Sequence, residues 1–147
     1  QKVLINGASG SVGSYAVQLA KHFGADVTGV CSTANVELVK SLGADTVIDY
    51  IQEDFTRSGQ AYDLIFDAVG KTSLAQVKSV LNEGSAFVTV KSSTREQIDN
   101  LLLLKELAEV GALRPVIDRR YPLAQTADAH RYVESGRKKG NVVIAIA

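Results

Sequence analysis

The sequence holds one cysteine, two prolines, no methionine and no tryptophan. A single thiol, Cys31, cannot close an internal disulfide, which points to a reducing compartment, with the cytoplasm as the expected one. Beside it stand only two histidines, His22 and His130, far apart in the chain, so no metal-ligand spacing is present. Net charge is absent as well: 16 Lys and Arg balance 16 Asp and Glu. Binders of nucleic acid or of anionic membranes carry a basic excess, and neither partner is expected. Long apolar runs are missing too, since a stretch such as Leu101-Leu102-Leu103-Leu104 falls far short of the roughly 20 residues that span a bilayer. The chain does not open on a charged leader followed by an apolar stretch and a small-residue cleavage site. What is present is ordinary globular material: 147 residues, 46% hydrophobic and 22% charged, enough to build a core.

Short apolar runs alternate with segments of helical period. Val3-Leu4-Ile5, in a strand starting at Lys2, reads as buried on both faces, because no polar residue interrupts it. Ser11 to Phe23 places Val12, Tyr15, Ala16, Leu19 and Phe23 on one helical face, with Gly24 as its C-terminal cap. Val27 to Cys31 predicts a second strand, and Asn35 caps a short helix through Val36, Val39 and Lys40 that Gly43 ends. Val47-Ile48 and Leu64-Ile65-Phe66 predict the third and fourth strands, with a loop and a short helix between them. Leu74, Val77 and Leu81 mark a helix stopped near Gly84, and Ala86 to Val90 a fifth strand. Strand and helix alternating at this spacing imply parallel crossovers, hence a doubly wound parallel sheet in a three-layer α/β/α arrangement. Beyond Val90 the rhythm changes. Ser93 with Glu96 predicts a capping box that launches an apolar helix through Ile98, Leu101, Leu102 and Val110. An extended stretch from Arg114 to Leu123 follows, then a helix from Thr126 to Ser135 and a last strand from Val142 to Ala147.

Gly7, Gly10 and Gly13 lie between the first strand and the first helix, and each has its own duty. Gly7 permits the turn off the strand, Gly10 lets backbone N–H groups approach a pyrophosphate, and Gly13 lets helix and strand pack closely. The helix then presents unpaired donors and its positive dipole end to phosphates. A glycine turn in that strand-to-helix context predicts a Rossmann-type dinucleotide site built on Gly7, Ala8, Ser9, Gly10, Ser11, Val12 and Gly13. A site for NAD carries an Asp or Glu at the end of the second strand, about 20 residues past the turn. Here the sequence is Cys31-Ser32-Thr33-Ala34-Asn35, with no carboxylate before Glu37. Hydroxyls and an amide can donate to a 2′-phosphate that a carboxylate would repel, so the expected cofactor is NADPH, bound through Cys31, Ser32, Thr33 and Asn35. The same residues also suit a cap for the following helix, and the two roles are compatible.

Several blocks resemble the quinone oxidoreductase branch of the medium-chain dehydrogenases/reductases, the zinc-type alcohol dehydrogenase-like superfamily. They are Asn6-Gly7-Ala8-Ser9-Gly10-Ser11-Val12-Gly13, Gln18-Leu19-Ala20-Lys21, and Val39-Lys40-Ser41-Leu42-Gly43-Ala44-Asp45 with Val47-Ile48-Asp49-Tyr50. Tyr62-Asp63-Leu64-Ile65-Phe66-Asp67-Ala68-Val69-Gly70 and the stretch from Arg114-Pro115-Val116-Ile117-Asp118 to Leu123 continue them, so nearly the whole chain is covered in order. The resemblance implies hydride transfer from NADPH to a quinone, enone or other activated carbonyl compound. It also implies that the backbone of Ser11, Val12 and Gly13 meets the pyrophosphate. Ser32 and Tyr50 would flank the 2′-phosphate, and Asp67, Ala68, Val69, Gly70 and Val90 would lie along the nicotinamide half. Two departures stand out. Family members carry a substrate domain before the glycine turn and a longer stretch after the fifth strand, with a strand used in dimer pairing. The chain is therefore expected to be a piece of a longer protein, the full form a homodimer and this part alone inactive. Residues 1–112 form the cofactor domain, and residues 113–147 are a segment that in the family returns to the substrate domain.

Other chemistries find no support. No tyrosine is followed four places later by lysine, as a short-chain dehydrogenase requires. The spacing around Ser9 and Ser11 is not that of a nucleophile elbow, and no Lys-Ser/Thr follows Gly13 as in a Walker loop. A methyltransferase would want a carboxylate where Cys31-Ser32 stands. His22, His130 and the run Arg137-Lys138-Lys139 read as solvated residues that complement helix dipoles, and Cys31 as an inert buried thiol. No catalytic residue is identified, since a proton donor or zinc ligand would come from the other domain. A non-enzymatic nucleotide-binding module remains the alternative.

Overall fold

A computed structural model describes residues 1–146. Five strands form one all-parallel sheet in the order β3-β2-β1-β4-β5. They are β1 (Lys2–Asn6), β2 (Asp26–Cys31), β3 (Thr46–Asp49), β4 (Tyr62–Asp67) and β5 (Leu81–Thr89). Between them run α1 (Ser11–His22), α2 (Val36–Ser41) and α3 (Leu74–Val77), the crossovers that parallel pairing requires. Strand order reverses between β1 and β4, the place where doubly wound sheets bind ligands.

Both faces of the sheet are covered at its centre, which is why β1 and β2 read as apolar runs, whereas no residue of β5 at the edge is fully buried. Successive side chains alternate between the faces. Val3 and Ile5 of β1 pack with Val17, Val27, Cys31 and Val39 under α1 and α2, whereas Leu4 packs with Val30, Ile48, Tyr62, Ile65 and Val77 on the other side.

Two expectations need correction. The helix predicted from Leu74 to Leu81 is α3 alone, extended by one 3₁₀ turn at Lys78–Val80, and Leu81 already opens β5. The cause is a bulge. Tyr62 pairs with Leu81 but Leu64 pairs with Ala86, so β5 spends extra residues there, with Gly84 at φ +74°. Asn82 Nδ2 donates to Asp63 Oδ1 at 2.7 Å and pins the bulge to β4. The capping box expected at Ser93 and Glu96 does not form. The next helix, α4 (Ile98–Glu109), starts after an extended Gln97 with no side-chain cap, and residues 91–100 are all exposed. A cap is worth about 1 kcal/mol, too little to hold a turn that packs on nothing. The reciprocal pair lies instead at α3, where Ser73 N donates to Gln76 Oε1 at 2.8 Å.

The C-terminal part builds β6 (Ile117–Pro122), α5 (Thr126–Glu134) and β7 (Asn141–Ala145), with β6 and β7 forming a parallel pair. The predicted end of β7 at Ala147 lies outside the described residues. This unit is fastened to the glycine turn and to α1. Gly140 N donates to Ser9 O at 2.8 Å, and Gln18 bridges the backbone of Arg114 through both amide atoms, at 3.0 and 2.8 Å.

Candidate cofactor site

The glycine turn is hooked onto the sheet by its own backbone. The N–H groups of Gly7 and Ala8 both donate to Val30 O, at 3.1 and 3.0 Å, and Gly10 N donates to Gly7 O at 3.0 Å. Gly7 has φ +79°, a conformation that side chains other than glycine's rarely adopt. At Gly13 a Cβ would stand 2.8 Å from Gly7 C and 2.9 Å from Ala8 Cα, so only glycine lets α1 start this close to the turn. Gly10 differs. A Cβ there would meet only Gly7 O, at 3.4 Å, and the space beyond is open. Gly10 is the N-cap of α1, with no side-chain cap and no acidic residue in the first turn. The first-turn N–H groups are thus left for an outside acceptor.

That end of α1 faces a cleft of about 860 Å³. Gly7, Ser9, Gly10, Ser11, Val12 and Gly13 line it, as do Cys31, Ser32 and Asn35 from the end of β2, Tyr50 after β3, and Ala68 and Val69 after β4. All of these are residues singled out from the sequence. Asn35 Nδ2 donates to Ser32 Oγ at 3.1 Å, which leaves the Ser32 hydroxyl proton available to a ligand.

Five expected residues do not reach the cleft lining. Ala8 is fully buried beneath the turn. Thr33 turns into a neighbouring groove, where its hydroxyl donates to Asp49 Oδ2 at 2.5 Å. That bond, with the Ile51 N–H and the Gln52 amide, holds the Asp49 carboxyl below its ordinary range. Asp67 is fully buried and supports the loop after β4 from below, accepting from Asn6 Nδ2 at 3.0 Å, Val69 N at 3.0 Å and Thr72 N at 2.7 Å. Burial pushes its pKa up, but these donors outweigh burial and hold it low. Gly70 and Val90 lie close together, so that a Cβ added at Gly70 would fall 3.1 Å from Val90 Cγ2. Cys31 is buried, and burial together with the Asp49 charge pushes its thiol up to about 11, so it stays protonated.

The cleft is also lined by residues that sequence reasoning left in solvent. Arg137, Lys138 and Lys139 line the cleft, with Asp118, Arg119 and Tyr132 beside them. Lys138 Nζ reaches Ser11 Oγ at 2.6 Å and Gly140 O at 2.9 Å. Three cations in a row between Gly136 and Gly140 were the available signal, a basic run on a loop bounded by turn-forming residues. His22 and His130 are exposed, as expected, and line no part of the cleft. Among the described residues no three His, Cys, Asp or Glu side chains gather as a metal site, and no helix is long and apolar enough to cross a membrane.

Residues 11–129 match the family described as zinc-binding dehydrogenase. The 2-methylene-furan-3-one reductase of Solanum lycopersicum is 40% identical over 156 residues, covering 98% of this chain and 40% of the relative. The chloroplastic NADPH-dependent alkenal/one oxidoreductase of Arabidopsis thaliana is 36% identical over 157 residues, with the same coverage of 98% and 40%. Among solved structures, the quinone oxidoreductase from Coxiella burnetii superposes with a TM-score of 0.89 at 28% identity, over 99% of this chain and 53% of that one. A thermostable alcohol dehydrogenase from Pyrobaculum aerophilum gives 0.77 at 29% identity, over 99% and 50%. The chain thus spans about half, or less, of the length of these proteins. The match over residues 11–129, on a sheet with this strand order and glycine turn, places the chain in the zinc-binding dehydrogenase family, within the medium-chain dehydrogenases/reductases.

Proposed function

We propose that this chain is the NADPH-binding half of a reductase that passes hydride to a quinone, an enone or another activated carbonyl compound. The observation that carries the reading is the meeting of two groups of residues in one cleft. The uncapped first turn of α1 shares the cleft with Arg119, Arg137, Lys138 and Lys139, while the end of β2 offers Ser32 and Asn35 with no carboxylate. A cation bonded to Ser11 Oγ stands beside the positive end of a helix, an unfavourable pair that an anion bound next to both would offset. A dinucleotide pyrophosphate fits that place, and a 2′-phosphate fits the hydroxyl and amide at β2.

When bound, the cofactor supplies the hydride. This chain's part is to bind and orient it. The backbone at Ser11 to Gly13 takes the pyrophosphate, the basic loop neutralises it, and Ala68 and Val69 line the nicotinamide end of the cleft. The printed names of the tomato and Arabidopsis relatives, reductases of a furanone and of alkenals and enones, support the acceptor class. No zinc step is assigned to this chain, whose described residues offer no ligand group. The buried, protonated Cys31 supports a reducing compartment such as the cytoplasm, though relatives include chloroplastic and mitochondrial proteins. The outer edge of β5, last in the sheet order, supports pairing of two copies in the full-length protein.

Calorimetric titration with NADPH and NADH tests the cofactor. Tighter NADPH binding is expected, and equal affinities or a preference for NADH would overturn the reading. Oxidation of NADPH by quinones or enones, in a longer form bearing a substrate domain, separates a reductase from a non-enzymatic nucleotide-binding module.

A further inference from the structure

Asp118 is out of place by charge, a carboxylate on the wall of a cleft otherwise suited to phosphates. It is also out of place by register. Ile117 pairs with Asn141 and Arg119 pairs with Val142, so Asp118 is the extra residue of a bulge in β6. In a regular strand, neighbours point to opposite faces. The bulge lets consecutive residues, Asp118 and Arg119, both line the cleft. Asp118 Oδ2 accepts from Tyr132 Oη at 2.6 Å and from Lys139 N at 3.1 Å. One carboxylate oxygen thereby ties β6 to α5 and to the basic loop that follows it. The Arg119 guanidinium lies over the ring of the same tyrosine, 3.8 Å from its centroid.

We infer that Asp118 is a positioning residue for the cofactor: through Tyr132 and the Lys139 amide it holds loop 136–139 so that its cations face the first turn of α1. This rests on the cofactor reading above. The loop has no secondary structure of its own, and three adjacent cations repel one another. Left alone, they would spread into solvent, where each is better hydrated and their fields are screened. A carboxylate behind the loop, itself bonded to two donors, offsets that repulsion and fixes the backbone at Lys139. Burial pushes Asp118 up, yet the Tyr132 hydroxyl, the Lys139 N–H and the charges of Lys139 and Arg119 hold its carboxyl below the usual range. It therefore acts as a permanent acceptor at neutral pH. Its own repulsion of phosphate is met by Arg119 and Lys139 on either side.

The test compares Asp118→Ala, which removes the acceptor, with Asp118→Asn, which keeps a carbonyl oxygen in its place. Titration of the whole chain with NADPH at low and high salt is expected to give about tenfold weaker binding for Asp118→Ala, the scale of one lost hydrogen bond to a charged group. The salt dependence should also flatten, because fewer cations meet the phosphates. A role in stability alone would lower the folded fraction but leave that slope unchanged. Asp118→Asn should restore affinity to within a few fold. Hydrogen exchange without cofactor reads the latch directly: the Lys139 amide should be protected in wild type and Asp118→Asn, and open in Asp118→Ala. If Asp118→Ala does not fold, Tyr132→Phe keeps the ring under Arg119 and removes only the hydroxyl, and should weaken NADPH with the same flattened slope. Wild-type affinity and slope in Asp118→Ala, or in Tyr132→Phe when it stands in, would overturn the inference. So would Asp118→Asn binding as weakly as Asp118→Ala. A wild-type chain that binds no NADPH overturns the cofactor reading itself, whereas tight wild-type binding with indifferent variants overturns only the latch.

Discussion

Lys138 Nζ lies 2.6 Å from Ser11 Oγ, joining the first residue of α1 to a loop 127 positions later. The ammonium is partly buried there and also bonds Gly140 O at 2.9 Å. It is held beside a helix end whose dipole repels it. Lys138→Ala should therefore weaken NADPH about tenfold or more, in line with the roughly 1.5–3 kcal/mol of a charge-assisted bond. The ligand-free chain should melt no earlier than wild type, because the repulsion goes with the ammonium. Calorimetry and a thermal melt check both halves. Unchanged affinity would remove Lys138 from the site.

Gly10 and Gly13 should fail in opposite ways. A side chain at Gly10 enters open space above Gly7 O, where the phosphates are proposed to sit. Gly10→Val should fold with a cooperative melt near that of wild type and lose cofactor binding. At Gly13 even a methyl group drives into the backbone of Gly7 and Ala8. Gly13→Ala should lose stability before function can be measured, with a cost of several kcal/mol expected for overlap with rigid backbone. A stable Gly13→Ala, or a folded Gly10→Val that still binds NADPH, would contradict this division of labour.

The centre of the sheet was legible in the sequence because β1 and β2 are buried on both faces and glycines punctuate the turns around them; β5, none of it fully buried, was legible only from Ala86 onward. Gly7, Gly10 and Gly13 located the cleft for the same local reason. Three features lay beyond local pattern. Leu74 to Leu81 has the spacing of a helix, but the bulge at Asn82–Ser85 claims Leu81 for β5, and only pairing with Tyr62 decides that. Ser93 and Glu96 have the spacing of a capping box, but nothing packs on that turn. Arg137 to Lys139 look solvated until the contact of Gly140 with Ser9 folds them over the glycine turn. Thr33 and Asp67 show the converse. Both stand beside cleft-lining residues in sequence, and both spend their polar atoms on the scaffold.

Cys31 gives a prediction in alkali. Its folded pKa, about 11 against an ordinary 9.0, means that the neutral thiol is the form the fold prefers. The stability so contributed is complete below pH 9 and is lost as pH rises through the folded value near 11. Cys31→Ala should therefore narrow the fall in melting temperature over that window, and lie parallel to wild type at neutral pH. The thiol of the folded chain should also resist alkylation at pH 8 and react once unfolded. Rapid alkylation of the native protein would refute the burial on which this rests.

The proposed NADPH site gives Ser32 a testable part in the choice between the two nicotinamide cofactors. It is extended at the end of β2, lines the cleft, and accepts from Asn35 Nδ2 while keeping its own proton to donate. Ser32→Asp would put a charge where the 2′-phosphate is proposed to rest. Two charges about 4 Å apart near a protein surface interact by roughly 4 kcal/mol before solvent screening reduces it. NADPH affinity should thus fall at least tenfold, while NADH, which presents a ribose hydroxyl there, should hold or improve. Ser32→Ala separates the charge from the lost hydrogen bond and should cost NADPH only a few fold. Titration of both variants with both cofactors reads the preference directly. If Ser32→Asp weakens NADPH and NADH alike, the 2′-phosphate lies elsewhere, and the basic loop alone must supply the selectivity.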